Sequence, residues 1–261
     1  MSDANTATRQ PRVALVTGAA RGIGYAIAER FWRDGMEVVF IDIVQEEAEA
    51  ASRTVSGDGS RTHAFAADVS DEASVKALYT KVDAEIGRVE VLANNAGISP
   101  RVNGANAYVE DTPLDVWQKT LAVNLTGTFL MCREAVPRMR KAGWGRIINM
   151  ASIAARSRGE VASGYYAASK GGVVAFSRIL AAEAGPSGIT VNCISPARIV
   201  SPLTRTYSNT AELDQRYIDK TPVRRIGYPE DVAEAAAYLA SEATGYVSGT
   251  IMDVTGGYYM P

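Results

Sequence analysis

A tyrosine and a lysine four residues apart, in the stretch Tyr165-Tyr166-Ala167-Ala168-Ser169-Lys170, form a pair able to move a proton. On a helix, positions i and i+4 share a face, one turn apart. An ammonium beside a phenol favours the phenolate. Bringing a tyrosine from its ordinary pKa of about 10 to near neutrality takes about 4 kcal/mol of selective stabilisation. A tyrosine tuned in this way exchanges a proton with an alcohol or a ketone at neutral pH. The same spacing is common on amphipathic helices of no catalytic meaning, so the pair gains significance only from its surroundings.

The first of those surroundings is a glycine-rich turn, Thr17-Gly18-Ala19-Ala20-Arg21-Gly22-Ile23-Gly24, between an apolar run and a helical pattern. Glycines there let backbone approach a pyrophosphate, and the following helix offers unpaired N–H groups and the positive end of its dipole. The spacing is G-x-x-x-G-x-G rather than G-x-G-x-x-G, and the strand-to-helix position is what makes it informative. Asp42 follows the second apolar run. A carboxylate there accepts hydrogen bonds from a ribose diol and repels a 2′-phosphate, which favours NAD over NADP. Arg21 is the counterweight, because it is able to contact an adenosine phosphate.

The elements that must position these residues are visible as an alternation. Apolar runs at 13–17, 37–41, 62–66, 89–93, 145–150, 190–194 and 250–254 read as strands, and helical patterns at 24–34, 45–56, 72–86, 114–141, 164–183 and 229–240 fall between them. Strands apolar on both faces that alternate with helices predict a parallel sheet covered on both sides. The expected architecture is α/β: a single domain at 12–261 with a seven-stranded, doubly wound parallel sheet. A flexible tail is expected at 1–11, and the irregular stretch 196–228 is expected to be a substrate-binding lid. With 261 residues, 47% of them hydrophobic, and a net charge of −2, the chain has the composition of a soluble globular protein and no basic patch for nucleic acid. Its start lacks the apolar segment of a secretory signal, and no stretch approaches the roughly 20 apolar residues of a membrane span, so a cytoplasmic location is expected. Cys132 and Cys193 read as buried small hydrophobes of a reducing compartment. His63 stands without the histidine or cysteine neighbours of a zinc site, so no metal is expected.

Together these residues resemble the short-chain dehydrogenase/reductase family, and the resemblance runs from Arg12 to Gly257. It implies a Rossmann fold and hydride exchange between a nicotinamide and a carbon bearing oxygen. The glycine turn matches the family's T-G-x-x-x-G-I-G, implying cofactor contacts at Gly18, Arg21, Gly22, Ile23 and Gly24. Asp68 and Val69 match the pair beside the adenine ring. Asn94-Asn95-Ala96-Gly97 matches the run that braces sheet and cofactor. Asn124, Ser152, Tyr166 and Lys170 match the catalytic tetrad in order and spacing. The resemblance implies that Ser152, ending the fifth strand, hydrogen-bonds the substrate oxygen and that Tyr166 transfers the proton. It implies that Lys170 holds the nicotinamide ribose and lowers the tyrosine pKa, and that Asn124 anchors a water leading to solvent. Tyr165 lies five residues from Lys170 and is expected to point elsewhere. Two features depart from the pattern. Pro196-Ala197-Arg198-Ile199-Val200-Ser201 replaces a usual Pro-Gly and a later threonine, leaving backbone contacts to the nicotinamide at Ile199 and a hydroxyl at Ser201. The loop from Ser152 to Tyr166 is also about one residue longer than is common.

The substrate pocket is expected between segments 98–107, 153–163 and 196–226, which carry Arg101, Arg156, Arg158, Arg198 and Arg205. Arginine forks suit carboxylates and phosphates, with Arg101, Arg158 and Arg198 as the candidates, whereas Glu160 and Asn103 suit the hydroxyls of a polyol. A small polar secondary alcohol is therefore expected: a sugar, sugar acid, polyol or hydroxy acid. Two alternatives stand beside it. One is an NADPH-dependent 3-oxoacyl-acyl-carrier-protein reductase, against which Asp42 argues, as do Gly143 and Ser187 where those reductases place arginine. The other is a non-catalytic NAD-binding regulator, against which the complete tetrad argues. Apolar residues in excess along 114–141 and 164–183 predict a homo-oligomer, dimer or tetramer, and the apolar chain end from Gly256 to Pro261 is expected to pack against a neighbour.

Overall fold

A computed structural model describes residues 11–157, 162–206 and 210–261. Seven strands, β1 (Val13–Thr17), β2 (Glu37–Asp42), β3 (Thr62–Ala66), β4 (Val89–Asn94), β5 (Gly145–Met150), β6 (Ile189–Pro196) and β7 (Ile251–Val254), form one sheet in the order β3-β2-β1-β4-β5-β6-β7. Every pairing is parallel. The helices are α1 (Gly22–Arg33), α2 (Gln45–Val55), α3 (Glu72–Glu85), α4 (Leu114–Leu121), α5 (Gly127–Ala142), α6 (Gly164–Ala184), α7 (Thr210–Lys220) and α8 (Pro229–Ala240).

Alternate strand residues face opposite layers, and here both sets are apolar. Leu15, Val39, Leu92, Ile147 and Val191 pack with α3, α5 and α6. Ala14, Val16, Val38, Phe40, Val91 and Ile148 pack with α1 and α8 on the other face. The strand order reverses between β1 and β4, and at such a switch point the loops leaving the carboxyl ends of the strands diverge into a crevice. The glycine turn after β1 and the segment after β4 both open into it.

Two expectations about elements need correction. The helical pattern at 114–141 is a single continuous path, but a π-helical turn at Ala122–Thr126 separates α4 from α5. The stretch 196–228 is not wholly irregular, because α7 lies within it and buries Leu213 and Tyr217. Only those two positions, four apart on an otherwise polar helix, face inward, which is too sparse an apolar stripe to register in the sequence. Within the chain, the Tyr258 ring lies 4.8 Å from that of Tyr217, and Tyr259 lies under the Arg156 guanidinium.

Candidate active site

The glycine turn is built for backbone approach. Gly18 has a φ of 63°, in the left-handed region. A Cβ at Gly24 would stand 2.1 Å from the Gly18 carbonyl oxygen, so no other residue fits there. The turn is tied to the segment after β4, where Asn95 donates through Nδ2 to the Thr17 and Gly18 carbonyls at 3.0 and 3.1 Å. The Thr17 hydroxyl accepts from the backbone of Asn95 and Ala96. At the start of α1, which takes in Gly22, Ile23 and Gly24, no side chain caps the free N–H groups and no acidic residue occupies the first turn. An anion is the natural partner of such a terminus.

Asp42 ends β2 beside this turn, its Oδ2 accepting from Ala20 N at 3.1 Å and its Oδ1 from Ile43 N at 2.8 Å. Arg21, exposed, lies 3.6 Å from Glu47, so its charge is partly answered there. Asp68 accepts through Oδ1 from the backbone and hydroxyl of Ser70, and Val69 is buried beside it against α5.

On the far side of the crevice, α6 presents its two tyrosines to different places. Tyr165 is 1% exposed and donates its hydroxyl to the Pro100 carbonyl at 2.6 Å. Tyr166 lines a cavity of about 100 Å³ together with Ser152. Lys170, one turn on, is buried. It donates from Nζ to the Met150 carbonyl at 2.6 Å and lies 5.9 Å from the centre of the Tyr166 ring. Burial pushes its pKa down to about 8, with the neighbouring Cys193 acting weakly in the opposite sense. A Cβ at Gly97 would stand 3.5 Å from this Nζ and 3.4 Å from Asn124 Oδ1, so Gly97 packs directly beside the lysine and the asparagine.

Ser152 does not end the fifth strand, which stops at Met150. It caps the short 3-10 turn Ile153–Ala155, its Oγ accepting from Ala154 N at 3.2 Å. Asn124 sits in the π turn, fully buried, and all three of its side-chain bonds are internal. Its Oδ1 accepts from Ile98 N, and its Nδ2 donates to Ile98 O and to Ser169 Oγ. Ser169 in turn donates to the Tyr166 carbonyl at 2.7 Å. The widened turn thus ties the segment after β4 to the helix that carries the tyrosine. A π turn inside an α-helix marks a functional constraint more often than chance.

The expected ring of arginines is largely engaged elsewhere. Arg198 reaches the cavity wall but is 5% exposed, and its Nε donates to Asp214 Oδ1 of α7 at 2.8 Å. Arg205 binds the other oxygen of Asp214 at 3.2 Å, and Arg156 is held by Asp253 and Ser195. Arg101 lines the cavity and donates to Asn106 Oδ1. Arg158 and Glu160 lie outside the described residues. Asn103 stands exposed in a turn at a φ of 50°, away from the cavity lining. Ile199 is buried, and its carbonyl accepts from Thr204 Oγ1 at 2.8 Å. Ser201 is bonded to Thr204 as well. Thr204, in a 3-10 turn, and Tyr217, on α7, both line the cavity, and neither was singled out in the sequence because these two elements were not recognised there. A larger cavity of about 520 Å³ lies at the opposite, amino-terminal end of β5 and β6, where Arg12 and Arg146 flank Trp144, and none of the candidate site residues lines it.

Comparison with known proteins agrees with this geometry. A family model described as enoyl-(acyl carrier protein) reductase matches residues 18–259. D-threitol dehydrogenase of Mycolicibacterium smegmatis is 42% identical over 95% of this chain and 92% of its own length. A 3-oxoacyl-[acyl-carrier protein] reductase with bound NAD from Brucella melitensis superposes with a TM-score of 0.88 at 36% identity, covering 97% of this chain and 93% of that one. A gluconate 5-dehydrogenase from Burkholderia cenocepacia, in complex with NADP and tartrate, has the same TM-score at 30% identity and covers 96% of each chain.

Proposed function

The chain belongs to the short-chain dehydrogenase/reductase family of NAD(P)-dependent oxidoreductases acting on alcohols and ketones, and we propose that its own reaction is the NAD-dependent oxidation of a secondary alcohol on a small neutral polyol. The observation that carries this reading is the cavity itself. It is lined by Ser152 and Tyr166 together with Thr204 and Tyr217, and at about 100 Å³ it is small. That is well below the roughly 300–1,000 Å³ of pockets that hold drug-sized ligands. Asp214 draws Arg198 toward α7 while also binding Arg205, and hydroxyl groups supply much of the polar lining beside Arg101 and Arg198. The similarity to D-threitol dehydrogenase supports a polyol of this size.

The residues present fit a dinucleotide. The uncapped start of α1 and Gly18, Gly22 and Gly24 would hold its pyrophosphate, Asp42 its adenosine ribose, and Asp68 and Val69 its adenine. Asn95, Ala96 and Gly97 line the crevice toward Lys170, which would hold the second ribose, and Ile199 and Ser201 would receive the carboxamide. Asp42, fixed by two backbone donors, supports NAD rather than NADP. The nicotinamide group supplies the hydride acceptor when bound. Ser152 would orient the substrate oxygen and Tyr166 would take its proton. The Lys170 ammonium would stabilise the phenolate form of Tyr166 that accepts this proton, and Asn124 would keep α6 in place. Buried free cysteines, and the lack among the described residues of a helix long and apolar enough to cross a membrane, fit a cytoplasmic enzyme.

The carrier-protein reading is less well supported. Gly143 and Ser187 offer no cation to an acidic carrier, and the cavity has little room for an acyl chain. Initial rates of oxidation of tetritols, pentitols and sugar acids with NAD and NADP, and of reduction of a 3-oxoacyl thioester with NADH and NADPH, test the proposal. A small polyol with NAD should be preferred. Preference for the thioester with NADPH would replace this reading with the other.

A further inference from the structure

One part of the wall of the substrate cavity is carried by a short helix with few buried residues. Tyr217 is 4% exposed on α7, a helix with only one other buried residue, Leu213. One side of the Tyr217 ring faces the Arg198 guanidinium at 5.9 Å, and the Tyr258 ring lies against it at 4.8 Å with the planes inclined by 32°. Tyr258 is itself held by a tight turn, its N–H donating to the Thr255 carbonyl at 3.0 Å. That turn is locked to the end of α7. The Gly256 carbonyl accepts from Val223 N at 3.2 Å, and a Cβ at Gly256, whose φ is 60°, would stand 2.5 Å from Val223 Cγ2. Gly257 is pressed as closely on Pro222. The path from chain end to cavity is therefore continuous: the turn at 255–258, the Tyr258 ring, the Tyr217 ring, the cavity.

We propose that the C-terminal turn determines specificity, with Tyr258 a positioning residue that holds Tyr217 in the wall of the substrate cavity and so limits its depth. The proposal rests on the substrate site assigned above. Stacked aromatic pairs are worth about 0.5–1.5 kcal/mol beyond their buried area, enough to bias where a short lid helix rests. Loss of the Tyr258 ring lets Tyr217 swing outward, deepening the cavity without touching the cofactor crevice or Tyr166.

The test is steady-state kinetics of wild type, Tyr258→Ala and Tyr258→Phe on alcohols graded in length, with hydrogen exchange on the same NAD-saturated proteins. Tyr258→Ala should raise the KM of the best substrate about threefold to tenfold. It should improve longer alcohols relative to shorter ones while leaving the KM for NAD within about twofold. Tyr258→Phe, which keeps the ring, should retain the wild-type profile. Exchange across residues 210–220 should quicken in Tyr258→Ala alone. Unchanged exchange there, or equal losses for substrate and NAD, would overturn the proposal. A wild-type enzyme that prefers some other alcohol would sink the polyol reading. The effect of Tyr258→Ala on that alcohol's length series would still decide the role of the chain end.

Discussion

At Lys170 an ammonium 4% exposed sits between the Met150 carbonyl and Tyr166, and burial lowers its pKa from 10.5 to about 8. In that window the unfolded chain holds a proton that the folded chain has released, so the lysine's contribution to stability rises with pH between the two values. Below about 8 both states are charged and the folded one bears the full cost of a buried cation, about 3 kcal/mol for a shift of this size. Lys170→Met should therefore be inactive yet more resistant to denaturant than wild type at neutral pH, with the advantage shrinking as pH approaches 10. An advantage that does not vary with pH would contradict the assignment of that cost to the ammonium. Asp42 permits a second prediction. Asp42→Ala removes the anion that would face a 2′-phosphate, and the NAD-to-NADP ratio of kcat/KM should fall by about tenfold or more. An unchanged ratio would mean that another group reads the ribose.

At the scale of elements, the π turn and α7 show what could be read in advance and what could not. The strands were legible because both faces are apolar, and the tyrosine–lysine pair because helical spacing is regular. The pairing of Tyr166 rather than Tyr165 with the cavity also followed from that spacing. The π turn was not legible, since a single inserted residue leaves the apolar pattern of 114–141 almost intact. Nor was the engagement of Arg198, Arg205 and Arg156, because their carboxylate partners lie up to 97 residues away in sequence. Asn124→Ala would strip the π turn of its bonds to Ile98 and Ser169 and leave buried backbone groups unpaired. It should lower stability by about 2–3 kcal/mol, read from denaturant midpoints. A loss below about 0.5 kcal/mol would show that the turn is held by other means.

For the whole molecule, the layer of α4, α5 and α6 leaves Leu114, Phe129 and Ile179 exposed at 68, 41 and 63%. Phe129 meets Phe176 edge-on at 6.1 Å, so the aromatic face continues across two helices. A homo-oligomer formed through this face is the proposed state. Phe129→Asp with Ile179→Asp should shift the protein to a smaller species on size-exclusion chromatography, and a monomeric wild type would contradict it. Under the proposed function, the sheet and its helices present one phenol to one alcohol. The most direct measurement is therefore NADH formation by Tyr166→Phe and Tyr165→Phe on the best substrate, with NAD affinity measured for both. The account predicts that Tyr166→Phe loses about 10³-fold or more in rate while still binding NAD, and that Tyr165→Phe keeps most of its activity. Full turnover by Tyr166→Phe would contradict it.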